Sequence, residues 1–156
     1  MLVIAIFAMF AMLIAGYETF ADEQMNVVAT SESTQALALN MAAYRQSVIA
    51  YVEGHPGFQG AVQASQLSAA AHYQPNAMWR GYVANSMVVV YTTSAVSPEL
   101  VVEMSKLAQG SVFAGRALNG SEVPPTDGSI AIPLPAGVAN AIPNGSPVWL
   151  AQVYPS

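Results

Sequence analysis

The sequence predicts an α+β fold: an N-terminal transmembrane helix followed by a small domain whose antiparallel or mixed sheet packs against helices. Three observations predict it. Residues Leu2 to Gly16 carry no polar side chain. Leu37, Met41, Tyr44, Val48 and Tyr51 recur at alternating intervals of four and three, the period of an amphipathic helix. Met87 to Thr92 and Val148 to Tyr154 are rich in β-branched and aromatic residues, as strands are. The chain accordingly divides into a transmembrane signal anchor over 1–20, a polar linker or helix extension over 21–33, and an extracytoplasmic α+β domain over 34–156.

The apolar run is short for a span, which needs about 20 residues and at least about 17. Tyr17 and Phe20 extend it across Glu18 and Thr19 and suit the aromatic belt at a membrane surface. A run apolar on every face has little in so small a chain to bury it as a core helix. A cleaved signal peptide fits less well than an uncleaved anchor. The front lacks Lys and Arg, and the best cleavage position, after Ala21, puts Thr19 at the −3 site. The tiny N-terminal tail favours an inside N-terminus.

From Thr34 the helical stripe begins, and Ala36, Ala38, Ala42 and Ala43 are strong helix formers. Gly54 and Pro56 stop it, so the spacing predicts a helix from about Ser33 to Glu53. His55 to Gly60 reads as a loop, and Val62 to His72 as a short helix broken at Pro75-Asn76. Trp79 to Val83 and Met87 to Thr92 flank Ala84-Asn85-Ser86 and predict a β-hairpin turning at Asn85. The second of these strands is nearly continuous in apolar residues, which predicts a central position covered on both faces.

Ser97 to Gly110 is the clearest helix. Ser97 is its expected N-cap, Pro98 and Glu99 suit the first turn, and Gly110 fits the C′ position. Leu100, Met104, Leu107 and Ala108 form its expected buried face, with Glu99, Glu103 and Lys106 in water. Val112 to Leu118 reads as a strand interrupted by Gly115, and Asn119 to Ser129 as a Gly/Pro/Asp loop. Ile130, Ile132 and Leu134 alternate, but Pro133 and Pro135 confine them to a sheet edge. Ile142 to Ser146 is a turn before the last strand.

Composition narrows the chemistry. Charged residues make up 8% of the 156, against about 25% in an average soluble chain. The net charge of −5 reflects only four bases, Arg45, Arg80, Lys106 and Arg116, too few and too scattered for a nucleic-acid patch. With no cysteine there is neither a disulfide nor a thiolate metal site. His55 and His72 are the only histidines and form no HExxH pair. His55 lies beside Glu53 but in a Gly-Pro loop, where solvent exposure is the simpler reading. Gly110-Ser111 and Gly145-Ser146 lack the flanks of a nucleophile elbow. Asn119-Gly120-Ser121 and Asn144-Gly145-Ser146 match a glycosylation sequon but read as Asn-Gly turns. Trp79 and Trp149 sit in strand patterns, as core residues do. No catalytic, cofactor-binding or metal site is expected, and the chain is expected not to be an enzyme.

An apolar span, a long helix and a small α+β head suggest pilus or secretion machinery. The pilin pattern does not fit: the apolar run precedes Gly16 instead of following it, and the fifth residue counted from Tyr17 is Ala21, not Glu. The chain instead resembles the PilM family of type IVb thin pili, the kind encoded on conjugative plasmids, which is distinct from the actin-like protein of that name. The resemblance rests on the short anchor, the Tyr44 to Pro56 helix end, Trp79-Arg80-Gly81-Tyr82, and the tail Ile130 to Pro135 with Ile142 to Ser146. It implies a structural component of the pilus assembly apparatus, for pilin transport or in the basal body. Such a protein sits in the bacterial inner membrane with a periplasmic domain, and its partners are other pilus or secretion-machine proteins. The alternatives are a minor pilin or pseudopilin within the filament, and a secreted soluble binding module. Candidate partner contacts are Leu37, Met41, Tyr44 and Tyr51 on the first helix and Pro133 and Pro135 at the sheet edge, where unpaired backbone groups can accept a strand. Nothing in the sequence sets an oligomeric state.

Overall fold

A computed structural model of the chain describes residues 33–67 and 76–154. The expected anchor over 1–20, nearly all of the linker, and residues 68–72 of the expected second helix lie outside the described residues. Among the described residues no helix is long and apolar enough to cross a membrane. These residues form an α+β domain.

Helix α1 occupies residues 33–53, as its periodicity predicts. Strand β1 (Gly60–Val62) and a 3-10 turn (Ala64–Gln66) follow, then β2 (Trp79–Ala84), β3 (Met87–Thr92), α2 (Glu99–Leu107), β4 (Ala114–Leu118), β5 (Ser121–Val123), β6 (Ile132–Pro133), α3 (Ala136–Ala139) and β7 (Pro147–Gln152). The strands make one sheet in the order β1-β2-β3-β7-β4-β5-β6. Every neighbouring pair is antiparallel. The last strand in sequence is therefore the middle one in space.

Both faces of the sheet are covered. Val88 and Val90 of β3, with Trp149 and Ala151 of β7, join a core closed by α1 and α2. Val89, Val148 and Leu150 point the other way, into a smaller core closed by Leu134, Val138 of α3 and Ile142. The continuous apolar run of β3 thus has the two-sided cover its composition implies. β2 and β3 turn at Asn85 and Ser86, which adopt φ of 49° and 61°. Both values are positive, as a two-residue turn matched to the twist of a hairpin requires.

Helix α1 buries Ala38, Met41, Tyr44, Val48 and Val52. Three of these belong to the expected stripe. Leu37 and Tyr51 flank it and are only partly buried. The helix comes close enough to β2 that a Cβ added to Gly81 would stand 3.0 Å from Val48 Cγ2 and 3.5 Å from the Tyr44 hydroxyl. Gly81 is what lets the helix lie on the sheet at this distance.

Four expectations need correction. Residues 60–62, read as loop and helix start, are strand β1, which pairs with β2 from Gly60↔Val83 to Val62↔Gly81. Residues 119–129, read as a loop, contain β5. Asn119 and Gly120, with φ of 50° and 76°, form a second hairpin turn between β4 and β5. The inward face of α2 is Leu100, Val101, Met104 and Ser105, while Leu107 is exposed. Pro98 takes the N-cap position of that helix, and the Glu99 N–H reaches Ser97 Oγ at 3.4 Å. At its other end the Gly110 N–H donates to the Ser105 carbonyl at 2.9 Å, the closure expected of a glycine there. β6 stays at the edge, as Pro133 demands.

The close seat at Gly81 predicts a specific cost. Gly81→Val should lower the unfolding free energy of the full chain by about 1–3 kcal/mol, the range for overpacking a core. In a Val48→Ala background the penalty should shrink, since the obstructing methyls are gone. Denaturant unfolding of the four proteins of this cycle measures both effects.

Candidate functional site

Few ionisable groups are available, and most are accounted for locally. Lys106 pairs with Glu103 at 2.6 Å, the one ion pair among the described residues, on an exposed helix face. Such a pair contributes at most about 1 kcal/mol. Arg80 Nη1 donates to the carbonyls of Ala77 and Trp79 at 2.6 and 2.9 Å. Asp127 closes a turn by accepting from the Ser129 backbone N–H and hydroxyl, which holds its carboxyl below the usual carboxylate range. His55 is exposed and stacks on Tyr51 with ring centres 4.2 Å apart, while its Nδ1 lies 2.7 Å from the Tyr51 carbonyl. Glu53 makes no contact that would pair it with His55. Among the described residues no group of three or more His, Asp or Glu is placed to hold a metal. His72 lies outside the described residues.

Two groups stand apart. The first is Arg45, on α1. Its Nε and Nη2 both donate to the Leu150 carbonyl, at 3.1 and 3.0 Å. The ladder explains why that oxygen is free. The last β4–β7 pair is Ala114↔Trp149, so Leu150 lies one residue past the end of β4. The Leu150 N–H still reaches the Phe113 carbonyl, but the Phe113 N–H turns to Ser111 Oγ. Arg45 supplies the donor that the short strand lacks. Its guanidinium carbon stands 5.4 Å from the ring centre of Trp149, within cation–π range. Burial holds its pKa below the ordinary arginine value. A groove of about 480 Å³ opens beside it, bounded by Ala42, Ala43 and Gln46 of α1, Ala108 and Gln109 after α2, and Trp149. Leu107 lines the same groove and Leu39 lies one turn from Ala43, both exposed, so the groove has an apolar rim.

The second is Glu122, on β5. Its side chain is fully buried, and neither carboxyl oxygen has a hydrogen-bond partner. The carboxyl fills the space left by the missing side chain of Gly115, where any added Cβ would overlap Oε1. Burial alone pushes its pKa from an ordinary 4.5 up to about 7. Sequence reading missed both residues: an isolated Arg on a helix and a Glu in a short strand carry no motif.

The expected partner contacts are distributed differently. Met41 and Tyr44 are buried beneath α1, where a partner does not reach them. Leu37 and Tyr51 are partly buried against the same core. Tyr51 anchors the helix end, meeting Phe58 edge-on at 5.2 Å and accepting from Gln66 Nε2 at 2.7 Å. Pro133 is exposed on β6 and Pro135 half-buried just after it, so the structure brings these two together and apart from α1's set. A second groove of about 500 Å³ lies between the α1 end and the β2–β3 turn, with Glu53 and the exposed Tyr154 on its rim.

The sequence model of the PilM family matches residues 8–150. The crystal structure of a protein described as PilM from Escherichia coli B7A has a similar fold, with a TM-score of 0.53 at 20% identity over 78% of this chain and 93% of that one. A crystal structure described as a PilM protein from Pseudomonas aeruginosa 2192 covers 78% of this chain and 97% of its own at 25% identity, with a TM-score of 0.43. No curated protein matches the chain.

The state of Glu122 makes stability depend on pH. The folded chain holds this proton more tightly than the unfolded chain. Its contribution is therefore full below about pH 4.5, falls as pH rises towards about 7, and is level above. The shift corresponds to about 3 kcal/mol. Glu122→Gln should remove this slope and be the more stable protein at pH 8. Thermal unfolding of both proteins from pH 4 to 8 checks it; parallel curves would show that Glu122 is not buried as described.

Proposed function

The chain belongs to the PilM family, and on that premise we propose that it is a non-catalytic subunit of a type IVb pilus assembly apparatus. Family membership carries a pilus-related role. The finer reading places residues 1–20 as a single-pass anchor in the bacterial inner membrane and residues 34–156 in the periplasm. There the domain takes part in pilin transport or the basal body by contact with other machine proteins.

The observation that carries the reading is the extent of the family match. It begins at residue 8, inside the apolar run, and continues to residue 150, within β7. The run and the domain thus belong to one family pattern. The architecture supports a role in binding: one groove opens between α1, the end of α2 and Trp149 of the middle strand, the other beside the β2–β3 turn, and the edge strand β6 leaves backbone groups for a partner strand. With two histidines, no cysteine, four bases and nine acids, the sequence offers little acid–base material, which supports a role without chemistry.

Two measurements test this. Removing residues 2–20 should move the protein from the membrane to the soluble fraction in cells lacking the other pilus proteins; continued pelleting would place the anchor elsewhere. In a piliated host, deleting the gene should abolish pili seen by electron microscopy. The full chain should restore them and the chain lacking 2–20 should not.

A further inference from the structure

We propose that Arg45 and the groove beside it form a docking site for a carboxylate side chain presented by another protein subunit of the assembly. The inference deepens the reading of the chain as an assembly subunit and rests on it.

The guanidinium is half used. Nε and Nη2 both spend a proton on the Leu150 carbonyl, along one edge of the planar group. The other edge, Nη1 with the second proton of Nη2, has no hydrogen-bond partner among the described residues. Two parallel N–H donors on one edge match the two oxygens of a carboxylate, a pairing that lysine cannot make. Acids outnumber bases nine to four in this chain. Even so, Arg45 has no acidic partner among the described residues, where the one ion pair joins Lys106 to Glu103.

The arrangement is also preorganised. Stacking on Trp149 and the carbonyl bond hold the side chain in place, so binding need not freeze it. Burial without a counter-charge among the described residues leaves the cation short of solvation, and an incoming carboxylate makes up that deficit. The groove beside it has room for a few side chains and not for a folded body. Ala42, Ala43 and Ala108 keep its walls low, while Gln46 and Gln109 offer amides to the backbone of a visiting segment. A single guanidinium with no second base in the groove matches one negative charge, which favours a carboxylate over a phosphate.

The test uses the full membrane-bound chain in a piliated strain, with the photo-cross-linker p-benzoylphenylalanine at Gln46. The captured peptide should come from another pilus-machine subunit and contain an Asp or Glu. Arg45→Lys and Arg45→Gln should each cut the cross-link about tenfold or more, as should neutralising the captured acid. Gln109→Glu places a carboxylate of the chain itself beside Arg45. It should cut the cross-link equally without lowering the unfolding temperature, which separates a lost partner from a damaged fold. Capture of lipid, of a second copy of this chain, of a peptide without an acid, or of nothing overturns the proposal, as does a cross-link indifferent to these variants. If gene deletion abolishes pili and the capture fails, the docking site alone falls. If deletion leaves pili intact, the assembly reading falls whatever Gln46 captures.

Discussion

The contact between α1 and β2 at Gly81 governs the larger core. A sheet face of valines and tryptophans must be covered, and one long helix covers most of this one. The absent side chain at Gly81 sets how near that helix comes. From this seat the other placements follow. Arg45 reaches across to the Leu150 carbonyl and lies over Trp149 because its helix is held close. Tyr51, six residues later, meets Phe58 and Gln66 and fixes the end of the helix to the segment around β1. A helix lifted by even a side chain's thickness would leave the carbonyl uncapped and the groove without its inner wall.

Much of this was legible in the sequence wherever one period dominated. The 33–53 helix, the Asn85 hairpin, the two-sided burial of β3 and the edge position of Pro133 all follow from local rules. The face that α1 buries is less legible, because size singles out Leu37 and Tyr51, which are only partly buried. Near the sheet the helix uses small ones as well, and Ala38 is fully buried. The β4–β5 hairpin had a clear signal in Asn119-Gly120. Pro124, Pro125 and Gly128, a few residues on, made the whole stretch resemble a loop. β1 and α3 are too short for any period to register.

The candidate site was not legible, for a different reason. Arg45 matters because β4 stops one residue short of Leu150, and strand ends are set by tertiary pairing rather than by the residues near Arg45. Glu122 offers an unremarkable polar-apolar alternation. Its burial depends on a glycine seven positions earlier on the adjoining strand. Each depends on where the sheet puts things, and sequence spacing carries no trace of that.

The sheet order has a temporal consequence. β1, β2 and β3 form one continuous block of ladder, and β4, β5 and β6 another, but the two blocks do not touch each other by hydrogen bonds. β7 joins them, and it is made after all the rest. Without Pro147–Gln152 the inner edges of β3 and β4 have no partner, and only this strand closes the two blocks into one sheet. Such distant pairing makes for slow folding and a period of exposed strand edges. A chain cut before residue 147 lacks the strand that both halves share, and its sheet cannot close.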